Sequence, residues 1–315
     1  MKKKKYNYNN HYNNYNYNDD FINTGVIAFK RKLDKKACKK IIQAIRKKYK
    51  FGKHMFKTEK EFNQNTSAIA VNPAVKSNNF ALKLNLDFIE KNKYIKKNLK
   101  ELLGKKYKIM LKKFVVQMPE HWIPLWVKNK IKNVINPNLN KYILPEYQQL
   151  TYFRGVDFHQ DLIEHKMEKV KFITFYIYLN KISKNNSPLN IIERSFEPGA
   201  QKFPHPLKKL KNNKVLYMNK VFKRRILTGD TGHFFMWSCL NLHGAGENNS
   251  KIPRISLRYK IRSNSFKSKT NLIDKLFEKI SGPKFLKKAR TDVSEKNFRE
   301  IKFRQKNESI LLGQA

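Results

Sequence analysis

Residues 232–261 read GHFFMWSCLNLHGAGENNSKIPRISLRYKI. Two runs rich in apolar residues, Gly232–Trp237 and Ile255–Ile261, flank a turn cluster at Glu247-Asn248-Asn249-Ser250. Short runs rich in aromatic and β-branched residues, bounded by Asn, Gly and Pro, predict strands. The same texture occurs upstream at Tyr107–Met118, Gln149–Phe153, Lys171–Leu179, Leu189–Ile192 and Val215–Tyr217. A second turn cluster stands at Lys184-Asn185-Asn186-Ser187-Pro188. No helices alternate with these strands, which favours a sandwich or jelly roll over a βαβ fold.

Helices are expected at the two ends. After a first strand at Thr24–Phe29, Asp34 is placed to cap a helix whose apolar stripe is Cys38, Ile41, Ile42 and Ile45. A second helical stretch falls between Leu86 and Leu103, carrying Phe88, Ile89, Leu99 and Leu103. Residues 271–306 return to helical texture, with Leu272, Leu276, Phe277 and Ile280 on one face. Residues 119–147, rich in Trp, Pro and Asn, are expected to be an insertion near an open end of the barrel. Residues 1–20 are low-complexity Lys, Tyr and Asn and predict a disordered tail. The chain thus divides into a tail (1–20), a main β domain with an N-terminal helical flank (21–265) and a basic helical C-terminal extension (266–315).

Across 315 residues there are 68 Lys and Arg against 24 Asp and Glu, a formal net charge of +44. The basic residues are spread through 31–60, 91–113, 202–225 and 264–306, interleaved with apolar positions. That pattern predicts a generally basic surface and no sequence-specific nucleic-acid site. A basic module that binds nucleic acid or another polyanion is the rival function. With 40% hydrophobic and 13% aromatic residues the chain can fill a core, which excludes wholesale disorder. No apolar stretch approaches the roughly 20 residues of a membrane span, and no apolar segment follows the N-terminal lysines. Cys38 and Cys239 make no disulfide framework, so a reducing cytoplasm is expected.

The chemistry lies in Phe158-His159-Gln160-Asp161 and Asn241-Leu242-His243-Gly244-Ala245-Gly246. A His-x-Asp triplet alone reads as a surface pair. A second histidine 82 residues beyond Asp161, directly after a strand, changes that. One imidazole and one carboxylate from a strand end, joined by an imidazole from a distant strand, make a facial triad with three adjacent metal positions open. Asp157 is a rival carboxylate for Asp161. Eleven residues past His243 come Arg254 and, two positions on, Ser256. An oxygenase using a 2-oxo diacid needs a fixed cation for the far carboxylate, which a guanidinium fork supplies, and a hydroxyl on the same strand face adds a hydrogen bond. Arg258 shares that parity and competes for the role. His165 and His205 read as loop or supporting residues, and Cys239 as a core thiol.

The run from Tyr152 to Arg262 resembles the phytanoyl-CoA dioxygenase family of iron(II)- and 2-oxoglutarate-dependent oxygenases. The matching pieces are Arg154-Gly155-Val156-Asp157-Phe158-His159-Gln160-Asp161 and Ile177-Tyr178-Leu179-Asn180. They continue with Ser195, Pro198-Gly199-Ala200, Phe203-Pro204-His205 and Gly229-Asp230-Thr231-Gly232, and end with His243-Gly244-Ala245-Gly246 through Arg254-Ile255-Ser256-Leu257-Arg258-Tyr259. The resemblance implies a double-stranded β-helix, a cupin-like jelly roll. It implies Fe(II) on His159, Asp161 and His243, 2-oxoglutarate held by Arg254 and packed against Tyr176, and O2 as the oxidant. The substrate would be a small or conjugated organic molecule, anionic if the basic charge is a guide. An acid at Asp161, where a halogenase needs Gly or Ala to admit halide, implies hydroxylation. The family's Gly-Ser-His loop is replaced by Glu193-Arg194-Ser195-Phe196, without its histidine.

Overall fold

The computed structural model describes residues 16–64, 77–131, 138–164, 171–264 and 271–286. Among these residues the strands are β1 Val26–Ala28, β2 Tyr107–Gln117, β3 Thr151–Phe153, β4 Val156–His159, β5 Phe172–Tyr178, β6 Leu189–Ile192, β7 Lys208–Leu210, β8 Lys214–Tyr217, β9 Lys220–Leu227, β10 Phe234–Ser238, β11 His243–Ala245 and β12 Arg254–Ser263. The helices are α1 Tyr17–Thr24, α2 Lys35–Lys48, α3 Glu59–Gln64, α4 Asn79–Lys83, α5 Asp87–Glu90, α6 Lys93–Leu103, α7 Leu125–Ile131 and α8 Leu272–Glu278.

Strand β12 shows why the sequence builds this fold. Its residues are nearly all buried, because both of its faces are covered. Successive side chains alternate between faces. Ile255, Leu257, Tyr259 and Ile261 join the large core shared with the helices, while Arg254, Ser256, Arg258 and Lys260 face the other way. Strand β5 repeats the scheme. Ile173, Phe175 and Ile177 enter the helix-side core, and Tyr176 and Tyr178 join a second cluster with Leu189, Ile191, Leu227, Phe235 and Trp237. That second cluster draws on both sheets, so it is the interior of a closed-over sandwich.

The two sheets have six strands each, in the orders β1-β10-β5-β12-β2-β3 and β4-β11-β6-β9-β8-β7. Pairing is antiparallel throughout except between β2 and β3. This is the double-stranded β-helix that the resemblance implied. Buried side chains of α2, α6 and α8 share one core with Phe175, Ile177, Leu257 and Tyr259 of the first sheet. Asp34 caps α2 as expected, its carboxylate accepting the Ala37 N–H at 2.7 Å, and Cys38, Ile41 and Ile45 are buried. The Leu86–Leu103 stretch is two helices, α5 and α6, separated where Asn92 caps α6 through the N–H groups of Tyr94 and Ile95. In α8, Leu272, Ile273, Leu276 and Phe277 are buried, and the helix packs against α1 and α6.

One boundary is corrected. The tail drawn at 1–20 ends earlier, because Asn16 caps α1 and helix begins at Tyr17. Asp20 of that helix pairs with Arg225 at 3.2 Å, and Phe21 is buried. Residues 1–15, His165 and the part of the C-terminal extension beyond 286 lie outside the described residues. No helix among the described residues is long and apolar enough to cross a membrane.

Candidate metal centre and cosubstrate pocket

Strand pairing places two histidines side by side. His159 ends β4 and His243 begins β11, and the two are register partners across an antiparallel pair. Their ring centroids are 4.3 Å apart. The approach depends on Gly244, where a Cβ would stand 2.7 Å from the Val156 carbonyl oxygen. Each imidazole is fixed by its own strand. His159 Nδ1 lies 2.8 Å from the Asp157 carbonyl oxygen, and His243 Nδ1 lies 3.0 Å from that of Asn241. A carbonyl only accepts, so each Nδ1 donates, and in the neutral ring each Nε2 is left with its lone pair.

Asp161 completes the cluster from a short 3-10 turn directly after β4, its N–H held by the Cys239 carbonyl at 2.9 Å. Its Oδ1 is 3.7 Å from His243 Nε2 and 4.0 Å from His159 Nε2. One ligand atom from each of the three residues lies within 4.8 Å of the others, and all three residues are buried. Among the described residues this is the one His, Cys, Asp or Glu group with metal-binding spacing. Asp157, the rival carboxylate, is not part of it.

Asp161 is surrounded by donors from the first sheet. Thr174 Oγ1 donates to Oδ2, Arg258 Nη2 donates to Oδ1, and Lys260 Nζ lies 3.5 Å from Oδ1. Burial opposes charge on this carboxyl. Arg258, then Lys260, His243 and His159 outweigh burial and hold the carboxyl well below the usual carboxylate range. Burial lowers the affinity of His243 for a proton, against a smaller opposing effect of Asp161. The site thus favours an ionised carboxylate at Asp161 and disfavours a proton on His243, the direction in which a divalent metal also pulls its ligands.

Arg254 lies deeper along β12. It is 1% exposed, donates through Nη1 to the Ser187 carbonyl and through Nη2 to Tyr176 Oη at 3.1 Å, and has the Gln117 amide at 3.2 Å from Nη2. Its Nε has no partner, and among the described residues no carboxylate pairs with it. Ser256 Oγ, on the same strand face, is also buried without a partner. A buried guanidinium lacking a counter-ion, beside an orphaned hydroxyl, is costly unless an anion fills the gap. Arg258 does not share this situation, since it points at Asp161.

Residues 21–256 match the phytanoyl-CoA dioxygenase (PhyH) family. The chain belongs to that family. By class it is a non-haem iron(II)- and 2-oxoglutarate-dependent oxygenase. No curated protein matches the chain. Among solved structures it is similar to the nickel complex of the non-heme monooxygenase ThoJ, at 11% identity over 79% of this chain and 77% of that one, TM-score 0.46. EvdO2 from Micromonospora carbonacea var. aurantiaca is similar at 9% identity over 78% and 89%, TM-score 0.44. The non-heme alpha ketoglutarate dependent carbocyclase SnoK from nogalamycin biosynthesis is similar at 9% over 78% and 83%, TM-score 0.42.

Several supporting residues of this family member were not singled out from sequence. Gln160 turns away from the triad and bonds to the carbonyls of Gly199 and Leu240 at 2.9 Å each, fastening the turn that carries Asp161. Thr174 and Lys260 serve the same carboxylate. The Trp237 ring stands 4.9 Å from that of His243 and 5.7 Å from that of Tyr176. Lys260 was legible from its parity with Arg254 and Ser256. Gln160, Thr174 and Trp237 are placed by contacts across strands that leave no local signal. His205 is buried and is not part of the metal-spaced group, its Nδ1 3.1 Å from Tyr217 Oη.

Proposed function

We propose that this protein is a hydroxylase in which His159, Asp161 and His243 hold Fe(II), while Arg254 and Ser256 hold the distal carboxylate of 2-oxoglutarate. The observation that carries the proposal is the pairing of a buried His-Asp-His cluster with a buried guanidinium that has no counter-ion. Iron(II), 2-oxoglutarate and O2 together supply the oxidising power for C–H hydroxylation, with succinate and CO2 released. The chain's own residues do the rest. The Nδ1 bonds to Asp157 and Asn241 fix both imidazoles, and Thr174, Arg258 and Lys260 fix the carboxylate before metal arrives. Tyr176 orients Arg254 through its hydroxyl and offers a ring face to the cosubstrate. The apolar interior of Tyr178, Phe235 and Trp237 excludes water from the reaction.

The substrate class we infer is a small or conjugated organic molecule with an anionic group, because a chain carrying +44 draws anions toward itself. A reducing compartment such as the cytoplasm suits its two buried free thiols, Cys38 and Cys239. The test is succinate formation from 2-oxoglutarate in air, with and without iron(II). Iron-dependent succinate release that vanishes in His159→Ala supports the proposal. Release that persists in that variant overturns it.

A further inference from the structure

The free edge of the second sheet, β7–β8–β9, presents an unusual surface. Register places Lys208, Leu216 and Val221 in one cross-strand row and Leu210, Lys214 and Lys223 in the next. Both rows lie on the face opposite Val215, Tyr217 and Phe222, which are buried in a cluster with Phe158 and Leu242. Val221 is 56% exposed and Met218, at the tip, 47%. No acidic residue occurs between Glu197 and Asp230. Among the described residues, none of Lys208, Lys209, Lys214, Lys220 or Lys223 has a carboxylate within ion-pair distance. Farther along β9, Arg225 is neutralised by Asp20 and Glu193, which marks where the unpaired patch stops.

The turns at the two ends of β8 differ in a telling way. At one end Asn212 and Asn213 take positive φ values of 57° and 54°. Asn tolerates that region, so the turn is ordinary. At the other end Met218 takes φ 47° before Asn219 at 59°. Methionine is disfavoured there, and its side chain is also left in water. Lysines on an edge strand discourage sheet-to-sheet pairing, but that role calls for neither an exposed Met nor an exposed Val.

We propose that this hairpin face docks the protein on anionic lipid bilayers. Met218 and Val221 enter the headgroup region, and the lysines around them meet the lipid phosphates and carboxylates. A bilayer rewards aliphatic and cationic groups together. Nucleic acid rewards the lysines alone, and the aromatic rings that would stack on bases, Tyr217 and Phe222, are buried. The tight turn holds the tip in place, so docking orders little new chain.

The experiment is co-sedimentation of the full chain with phosphatidylcholine vesicles, with and without an equal part of phosphatidylserine. Wild-type protein is expected on the anionic vesicles alone. Met218→Asn combined with Val221→Thr keeps the charge and relieves the turn, and is expected to weaken partitioning about tenfold. Lys208→Gln and Lys223→Gln are expected to weaken it about fivefold each, the scale of one lysine at an anionic surface. Duplex DNA binding should be the same in the Met218/Val221 double variant as in wild type. Four outcomes overturn the proposal: equal binding to neutral vesicles, an unchanged double variant, an equal loss on changing Lys36 and Lys40 of α2 to Gln, or a double variant that loses DNA instead of lipid.

Discussion

His159 and His243 face each other in register across β4 and β11, and each is locked by a bond from Nδ1 to the carbonyl two residues before it. This pseudo-symmetric arrangement leaves both Nε2 atoms toward Asp161 Oδ1. His159→Ala and His243→Ala should each cost more in metal affinity than the roughly 10–100-fold that follows loss of a residue merely supporting a ligand. The folded state should survive, since neither ring belongs to a hydrophobic cluster. Metal content after dialysis, read beside circular dichroism, checks this. Asp161→Asn should behave like the histidine variants, and Asp157→Asn should keep its metal. The reverse order would identify the other carboxylate as the ligand.

Arg254 and Arg258 lie four residues apart on one strand face and differ in surroundings, since Arg258 meets Asp161 and Arg254 meets no carboxylate among the described residues. Arg254→Ala should leave metal binding nearly intact and raise the 2-oxoglutarate requirement, because losing the partner of a buried carboxylate costs roughly 2–5 kcal/mol, about 30-fold or more in affinity. Arg258→Ala should act first on metal retention, through Asp161. Titrating each variant with metal and with 2-oxoglutarate separates the two effects. If Arg258→Ala is the variant that starves for 2-oxoglutarate, the roles have been assigned in reverse.

Much of this site was legible in the sequence because it rests on strand alternation and fixed offsets. Those two rules, together with the family resemblance, singled out His159, Asp161, His243, Arg254 and Ser256, and the fold brings the first three into one buried group. Strand β9 did not, because Lys220–Leu227 is half Lys and Arg and its short apolar pattern is filled in by pairing with β6 and β8. The start of α1 was hidden for a similar reason. Its helix depends on the Asn16 cap and on Asp20 meeting Arg225, a contact spanning most of the chain. Thr174 carries no motif of its own and acquires a role only when β5 is brought to Asp161.

Burial pushes the His205 imidazole down to about 3, with a further push from His243. An unfolded histidine titrates near 6.5. Between these values the unfolded chain takes up a proton that the folded chain refuses. The stability associated with His205 is thus complete above about 6.5 and is lost as pH falls toward about 3, by up to roughly 1.4 kcal/mol per pH unit. His205→Gln should flatten the dependence of urea stability on pH by up to one proton across that window. A slope identical to wild type would mean that His205 is not held neutral.

Helix α8 is expected to be part of the domain and not an appendage. Leu276 is fully buried, and Lys171 Nζ pairs with Asp274 across the junction. Leu276→Ala should cost about 2–5 kcal/mol, the range for removing a buried leucine side chain. Chemical denaturation gives the number, and a change within about 0.5 kcal/mol would show that α8 is not tightly docked.

The most direct test of the metal and cosubstrate assignment is spectroscopic and needs no substrate. Iron(II) and 2-oxoglutarate are added to the purified protein without oxygen, and the visible spectrum is followed for the weak charge-transfer band of a chelated keto acid. The wild-type protein should develop the band, His243→Ala should not, and Arg254→Ala should need far more 2-oxoglutarate to reach it. A wild-type protein that binds iron(II) but never develops the band, at any 2-oxoglutarate concentration, would contradict the account.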